Sequence, residues 1–285
     1  MAFEHIKEYI STADGTEGTL LIPKLIMPPL IEEAQKTLLP RELAKVVWGP
    51  GQIQGSSFTV NLETANTMDV RIVGEGAEIP LDNISFTTVT FTPKKYGVAV
   101  RITREMMEDS QFDILQSNLR TAGRRFSEKE TELIITALDG RTTSVSGGAA
   151  ITIANITTAM LGIENYDYVP TDLIIGNEVL DDLRNIDTFV EYSKIGNTDM
   201  LAKGFLGNIY GLKVARFSTN AAPSSTYAKY AYIIDRNEAY GIAIKRDITV
   251  ENFDLPTYDM QGAAITQRLD VELLRADAVA RITTS

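Results

Sequence analysis

Acidic side chains are the residues of this sequence whose type and spacing could do chemistry. They cluster at three places: Glu75 with Glu78; Glu128, Glu130 and Glu132; and Asp181 with Asp182. Two carboxyl groups that converge on one bond can act as general acid and general base, as in glycoside hydrolysis. Spacing alone does not show convergence, and Lys129 alternates with the second cluster as on a solvated helix face. An acid/base hydrolase with paired carboxylates is therefore one alternative for the function.

Other catalytic chemistries lack their residues. The chain contains no cysteine and a single histidine, His5. Thiolate nucleophiles, disulfides and thiolate metal sites are therefore excluded, and a Ser–His–Asp triad requires His5 to fold inward. The glycine-rich segment Gly74–Pro80 has no third glycine and no following helix, so it does not match a phosphate-binding loop. We predict no catalytic residue, no cofactor, no metal site and no enzyme activity.

The composition indicates a soluble globular protein. Of 285 residues, 44% are hydrophobic and 23% are charged, and no apolar run reaches the length of a bilayer span. The first 15 residues lack an apolar signal core, so we expect synthesis in the cytoplasm and no membrane partner. The net charge of −11 argues against a tightly held nucleic acid, because phosphate binding depends on Lys and Arg.

The first hundred residues divide into an arm and a β excursion. Residues 1–46 are polar and then apolar at helical spacing after Pro28 and Pro29, which predicts an N-terminal arm and a short helix. Residues 47–100 alternate between apolar and polar side chains, as at Phe58 to Leu62, with many Thr and Gly residues. These strands have too few apolar residues for a core of their own, so we expect them to lie on something else.

A long amphipathic helix is predicted within residues 101–140, over Gln111 to Leu138. At 1.5 Å per residue it would measure about 40 Å. Its apolar stripe consists of Phe112, Leu115, Leu119, Ala122, Phe126, Leu133 and Ala137, with a lapse at Lys129 and Glu130. We expect this stripe to pack across a sheet. Residues 141–236 then read as mixed α/β, and residues 237–285 as closing strands, so the predicted class is α+β.

The order of these parts resembles the major capsid protein of tailed bacterial and archaeal viruses, which has the Hong Kong 97-type fold. In that family the excursion is called the E-loop, and it often carries a Glu-Gly-Ala-x-x-Pro stretch. The residues that carry the resemblance are Glu75, Gly76, Ala77, Glu78, Ile79 and Pro80; Phe91 to Lys95; Ile102, Thr103, Glu105, Asp109 and Ser110; Leu206, Gly207 and Gly211 to Val214; Asp235–Arg236; and Arg275 with Asp277. Together they cover nearly the whole chain.

The resemblance implies a building block. Its parts would be an N-terminal arm (1–46), an E-loop hairpin (47–100), a spine helix of the peripheral domain (101–140), an axial domain (141–236) and strands that return to the peripheral domain (237–285). Glu75 to Pro80 would contact neighbouring subunits. The expected function is self-assembly, through pentamers and hexamers, into an icosahedral shell that loosely encloses double-stranded DNA in the virion.

The resemblance leaves two further points open. Many relatives begin with a scaffolding extension and this chain begins with a short arm, so we expect any scaffolding to come from a separate protein; portal and decoration proteins are further possible partners. The same fold also forms encapsulin-type cellular compartments, and such a shell protein is the first alternative for the function.

Overall fold

A computed structural model describes residues 39, 41–64, 69–79, 81–109, 114–186 and 208–285. The predicted first helix lies outside these residues, as do Pro80, Phe112 and the side chain of Leu115. The helices are α1 (Arg104–Asp109), α2 (Ile114–Leu138), α3 (Ile153–Glu164) and α4 (Asn177–Arg184). Helix α2 is the predicted spine helix, and it ends at the predicted residue, just before Gly140.

The described strands form three sheets. The four-stranded sheet has the order β1 (Val46–Trp48), β10 (Tyr240–Leu255), β11 (Met260–Leu273) and β4 (Lys94–Thr103). The six-stranded sheet has the order β5 (Thr143–Gly148), β12 (Val279–Thr284), β9 (Tyr230–Ile234), β6 (Asp172–Ile175), β8 (Leu212–Arg216) and β7 (Asn208–Ile209). Strands β2 (Phe58–Glu63) and β3 (Phe86–Phe91) form a separate antiparallel pair. The predicted α+β class is confirmed.

The spine helix α2 lies across the four-stranded sheet and reaches the six-stranded one. In its first half, Leu119, Ala122 and Phe126 are buried against Ala263 and Ile265 of β11. Strand β11 alternates along this contact, with every second side chain buried, as expected for a sheet with one covered face. In its second half the helix contacts both large sheets through three fully buried side chains, those of Ile134, Ile135 and Leu138.

The buried face of α2 differs from the predicted stripe in this second half. Leu133 and Ala137 were expected in the core, but they are only partly buried beside Ile134 and Leu138. The buried positions follow Phe126 in steps of four residues, and each such step turns the contact face by about 40° because the helix has 3.6 residues per turn. Glu130 occupies one of these steps, so the apparent lapse in the stripe is a buried charged residue.

The strand pairing corrects the expected division of the chain in three places. Val46–Trp48 pairs with β10, and β4 pairs with β11, so the excursion proper is the β2–β3 hairpin with its connection rather than all of 47–100. Residues 237–285 do not all join the four-stranded sheet, because β12 pairs with β5 and β9 of the six-stranded sheet. The buried side chains of β12 complete the core of the six-stranded sheet.

We expect the register of α2 to appear in the stability of two neighbouring alanine variants. Ile134→Ala should lower the free energy of unfolding of the isolated subunit by about 2–4 kcal/mol, because it leaves a cavity in a fully buried site. Leu133→Ala should cost less than about 2 kcal/mol, because Leu133 is partly exposed. Urea unfolding measures both, and a larger loss for Leu133→Ala would contradict this register.

Candidate assembly surfaces

An aromatic cluster fixes the base of the β2–β3 excursion on the four-stranded sheet. The ring centroid of Trp48 lies 5.2 Å from that of Phe58 and 5.1 Å from that of Phe91. Phe91 is fully buried. Gly241 on β10 is required for this packing, since a Cβ atom there would lie 2.6 Å from the Trp48 ring. The arm-like hairpin therefore leaves the subunit from a rigid base.

Charged side chains also hold the backbone of the excursion at both ends of the hairpin. Arg275 donates to the carbonyl of Glu63, the last residue of β2, at 2.8 Å, and Arg268 donates to the Pro93 carbonyl, just after β3, at 3.2 Å. The Thr92 amide donates to the Asp270 carboxylate at 2.6 Å. Burial, and secondarily the Asp270 charge, raises the pKa of the nearby Glu272. The excursion is thus tied to β11 and to the segment that follows β11.

Beyond these strands, residues 69–79 and 81–85 form a tip without regular secondary structure. Arg71 lies 3.1 Å from both Asp69 and Asp82, and so joins the outgoing chain to the returning chain. The Ala77 amide donates to the Gly74 carbonyl at 3.0 Å, and Gly76 has the positive φ of 78° that this turn needs. The tip is therefore an ordered loop held by its own ion pairs.

Apolar side chains of this tip are exposed to an unusual degree. The exposed fractions are 99% for Val70, 104% for Ile72, 72% for Ile79 and 91% for Leu81. Grouped exposed apolar residues mark interaction sites, because each costs free energy in water. Among the predicted contact residues, Glu75, Gly76, Ala77, Glu78 and Ile79 all lie exposed here. The flanking Val70, Ile72 and Leu81 were not among the predicted contact residues, although their apolar character within a turn-rich segment was a signal.

A second projection is the tip of the long β10–β11 hairpin. Tyr258 is 69% exposed there, and Leu255 is 37% exposed. Arg104, the first residue of α1, lies 3.1 Å from Asp254 and 3.3 Å from Asp259, and these ion pairs hold the tip against the start of the helix. The excursion and this hairpin thus present two apolar tips on braced supports.

The carboxylates of α2 are not a solvated face, contrary to the sequence-based interpretation. Glu128 is 6% and Glu130 is 3% exposed. Glu128 is paired with Arg124 and Arg125, at 3.4 and 2.8 Å. Glu130 accepts two hydrogen bonds from Arg41, at 2.6 and 2.8 Å. Burial follows because the turn at Arg41–Leu43 packs over the helix, with Leu43 in the main core.

A further buried carboxylate, at the first residue of β6, is also paired. Asp172 accepts hydrogen bonds from Arg236 at 2.6 and 3.1 Å and from the Thr171 hydroxyl at 2.7 Å. Burial, and then the charges of Asp172 and Glu130, raises the pKa of Tyr240. In the predicted pair Asp181 and Asp182, the latter accepts the Ile151 amide at 3.2 Å. These contacts are structural, since each named buried carboxylate is already engaged by donors of its own subunit.

The described residues provide neither a cluster of metal ligands nor a membrane-spanning helix. In this part of the chain, no three His, Asp or Glu side chains come together in a way that would hold a metal ion. Among the helices described, none combines the length and apolar character that a bilayer span needs.

Comparison with known proteins decides the family. A family model described as "Phage capsid protein" matches residues 86–282, from the first residue of β3 to within β12. The chain belongs to the phage capsid protein family. No curated protein matches its sequence.

Solved capsid structures share the fold at low sequence identity. A subunit of the bacteriophage PhiM1 mature capsid has 11% identity and a TM-score of 0.67, with 87% of each chain covered. The capsid of cyanophage P-SCSP1u has 13% identity and a TM-score of 0.65, over 85% of this chain and 86% of that one. A virus-like particle from Pyrococcus furiosus has 13% identity and a TM-score of 0.58, over 91% and 98%.

These likenesses confirm the predicted capsid fold, and the family assigns a structural role. As a member of a phage capsid family, the chain works in the virion capsid together with further copies of itself. The exposed tips are therefore candidate contact surfaces between copies, and the paired buried charges stabilise the subunit itself.

The buried pair Arg41–Glu130 can be tested by comparing single and double variants. Arg41→Met should lower the free energy of unfolding by about 3 kcal/mol, because it leaves Glu130 buried without its partner. The double variant Arg41→Met/Glu130→Met should recover most of this loss. As a control, Lys129→Met removes the partner of the more exposed Glu132 and should change stability by less than about 1 kcal/mol. A double variant as unstable as the single one would contradict the assignment.

Proposed function

We propose that this chain is a major capsid protein that self-assembles, through pentamers and hexamers, into an icosahedral shell around double-stranded DNA. The observation that carries the proposal is the excursion tip, which exposes Val70, Ile72 and Leu81 almost completely on a firmly anchored hairpin. Exposure of these side chains to water does not stabilise an isolated subunit. Their burial against a neighbouring subunit would stabilise the assembly.

The energetics favour a contact between copies. Full burial of one Val, Leu or Ile side chain stabilises by about 1.5–3 kcal/mol, so the four apolar side chains of the tip offer several kcal/mol per subunit. Each subunit extends its own tip and covers the tip of another, which is a heterologous contact. Such contacts close into rings when the rotation between neighbours is a simple fraction of a turn. Pentamers and hexamers are rings of this kind.

The rest of the subunit supplies stiffness. Helix α2 joins the two large sheets through a common core, so the base of the excursion is attached to a rigid subunit. The residues before Leu39 would form an arm that also lies on neighbouring subunits, since Leu39, Leu43 and Val46–Trp48 belong to the core and sheet of the subunit itself. The β2–β3 hairpin with its connection would supply the E-loop, α2 the spine helix and residues 141–236 the axial part around the five-fold and six-fold vertices.

The net charge of the chain determines how tightly the shell would bind the DNA inside it. With a net charge of −11, the chain repels phosphate on average, so the shell would enclose DNA without gripping it. Synthesis would take place in the host cytoplasm, with the finished protein in the virion. Separate scaffolding, portal and decoration proteins are the further partners that this role implies.

An encapsulin-type compartment is the alternative built on the same fold. A virus-like particle from Pyrococcus furiosus shares the fold over 98% of its chain, so the fold alone is compatible with both alternatives. The match to phage capsid proteins favours the viral shell. The content of purified particles separates the two: DNA supports the viral capsid, and a protein cargo supports the compartment.

The direct test is negative-stain electron microscopy of the purified protein, with light scattering at increasing concentration. Shells, tubes or capsomer rings are the expected result. A species that stays strictly monomeric at high concentration would contradict assembly of either kind, and turnover of a glycoside by such a monomer would support the hydrolase alternative.

Replacing the apolar tip should separate folding from assembly. The variant with Val70, Ile72, Ile79 and Leu81 all changed to Ser should keep the melting temperature of the subunit, because these side chains are exposed. It should fail to form particles at concentrations where the parent does. A matched control changes Thr87 and Thr88 to Ser, which trims exposed side chains of the same hairpin but keeps their hydroxyls. If the serine variant forms normal particles, the tip is not an assembly contact.

A further inference from the structure

The side of α2 that points away from the four-stranded sheet carries three arginines. Leu119 points towards that sheet and is buried against β11. At about 100° per residue, the exposed side chains that follow or precede it on the helix point about 100–160° away from Leu119. This set is called the arginine face, and it consists of Ser117, Arg120, Thr121, Arg124 and Arg125.

The surface charge of the arginine face is positive. From Ser117 to Glu128 the chain has three arginines and a single carboxylate, that of Glu128. The side chain of Glu128 is 8% exposed, whereas those of its partners Arg124 and Arg125 are 48% and 62% exposed. The carboxylate is thus buried, and guanidinium groups meet the solvent. A chain with a net charge of −11 therefore has a local surface that attracts anions.

The donors of the arginine face suit phosphate groups. Guanidinium and hydroxyl groups are among the side-chain donors that contact the phosphates of DNA. Arg120 and Arg125 are about 7.5 Å apart along the helix axis, and each strand of a DNA duplex carries about two phosphates over that length. A protein partner is disfavoured, because protein interfaces depend on aromatic and apolar anchors and the arginine face has none.

The arginine face and the excursion lie on opposite sides of the four-stranded sheet. On β10, Ile242 and Ile244 belong to the core that α2 covers, whereas Ala243 between them packs with Phe91 at the base of the excursion. Successive side chains of a strand point to opposite faces of a sheet. The subunit therefore has one broad side with the excursion and another with the exposed arginines, and in a closed shell one of the two faces the contents.

We propose that the arginine face lies on the inner surface of the shell and contacts phosphates of the enclosed double-stranded DNA. The proposal rests on the proposed function, because it assigns the place where that DNA touches the subunit. The contact is weak in each subunit, since the net charge of the chain repels phosphate. Repeated over many copies, it positions the DNA against the shell without holding it tightly.

The first experiment locates the arginine face in the shell. The chain has no cysteine, so Thr121→Cys provides one thiol in each subunit. In particles assembled without DNA, a small maleimide should label this thiol, and a maleimide on a polymer too large to enter should label it only after dissociation. Labelling of intact particles by the polymer would place the face outside the shell. Protection from both reagents would place it in a contact between copies, and either result would overturn the proposal.

The second experiment measures the binding of a double-stranded DNA fragment to dissociated capsomers as the salt concentration rises. The parent should bind the DNA in a salt-sensitive way. The slope of log affinity against log salt should become shallower by about 0.9 for each phosphate contact that Arg120→Gln removes. Arg120 is the position to change because Arg124 and Arg125 also neutralise the buried Glu128.

Arg101→Gln is the matched control on the other side of the sheet. Arg101 is exposed on β4 and pairs with Gly262, whereas the next residue of β11, Ala263, packs against α2. This variant removes the same charge, and its slope should equal that of the parent.

Three results would contradict the DNA contact: no salt-sensitive binding by the parent, an unchanged slope in Arg120→Gln, or equal changes in both variants. Equally tight binding of polyglutamate would assign the arginine face to an acidic protein instead. Failure of the proposed function has a different result, because the parent protein would then form neither particles nor capsomers.

Discussion

The packing of α2 against both large sheets is the contact on which the rest of the subunit depends. Ile134, Ile135 and Leu138 share one core with side chains of the four-stranded and the six-stranded sheet. Because protein interiors are close-packed and hardly compressible, this shared core makes one stiff plate of two units. A plate of fixed shape can present its tips to neighbours at defined angles.

The excursion depends on that stiffness. Its anchors are the Trp48 aromatic cluster at the base, the hydrogen bond from Arg275 to Glu63 at the end of β2, and the hydrogen bond from Arg268 to Pro93 just after β3. A two-stranded hairpin is marginal alone in water, so its direction has to come from these anchors. Trp48 lies on β1, Arg268 on β11 and Arg275 two residues beyond β11, and β11 packs against α2. The position of the exposed tip is therefore set by the same core that holds the sheets together.

The local patterns of the sequence were enough to predict the spine helix and the alternation of the excursion strands. They also directed attention to Glu75 through Ile79, which lie in the exposed tip. Glu130 shows where such reasoning stops: a carboxylate within the helix reads as solvated, and only the distant Arg41 makes its burial possible. Strand β12 shows the same limit, since its apolar residues predict burial but do not reveal which sheet they join. Tyr210 has a φ of 51° in the two-residue turn between β7 and β8, and composition does not disclose such a backbone conformation.

The exposed apolar tips favour association of copies, whereas the strong negative charge of the chain opposes it. A net charge of −11 keeps copies apart in solution, and the charge on the excursion tip, with four carboxylates and one arginine, has the same sign. Contacts between copies must therefore overcome repulsion before they gain from burial. Small contacts at several places do this only when many are made at once, because each alone is too weak to hold a pair. A subunit built in this way stays dispersed while it is scarce, and it assembles cooperatively once enough copies meet.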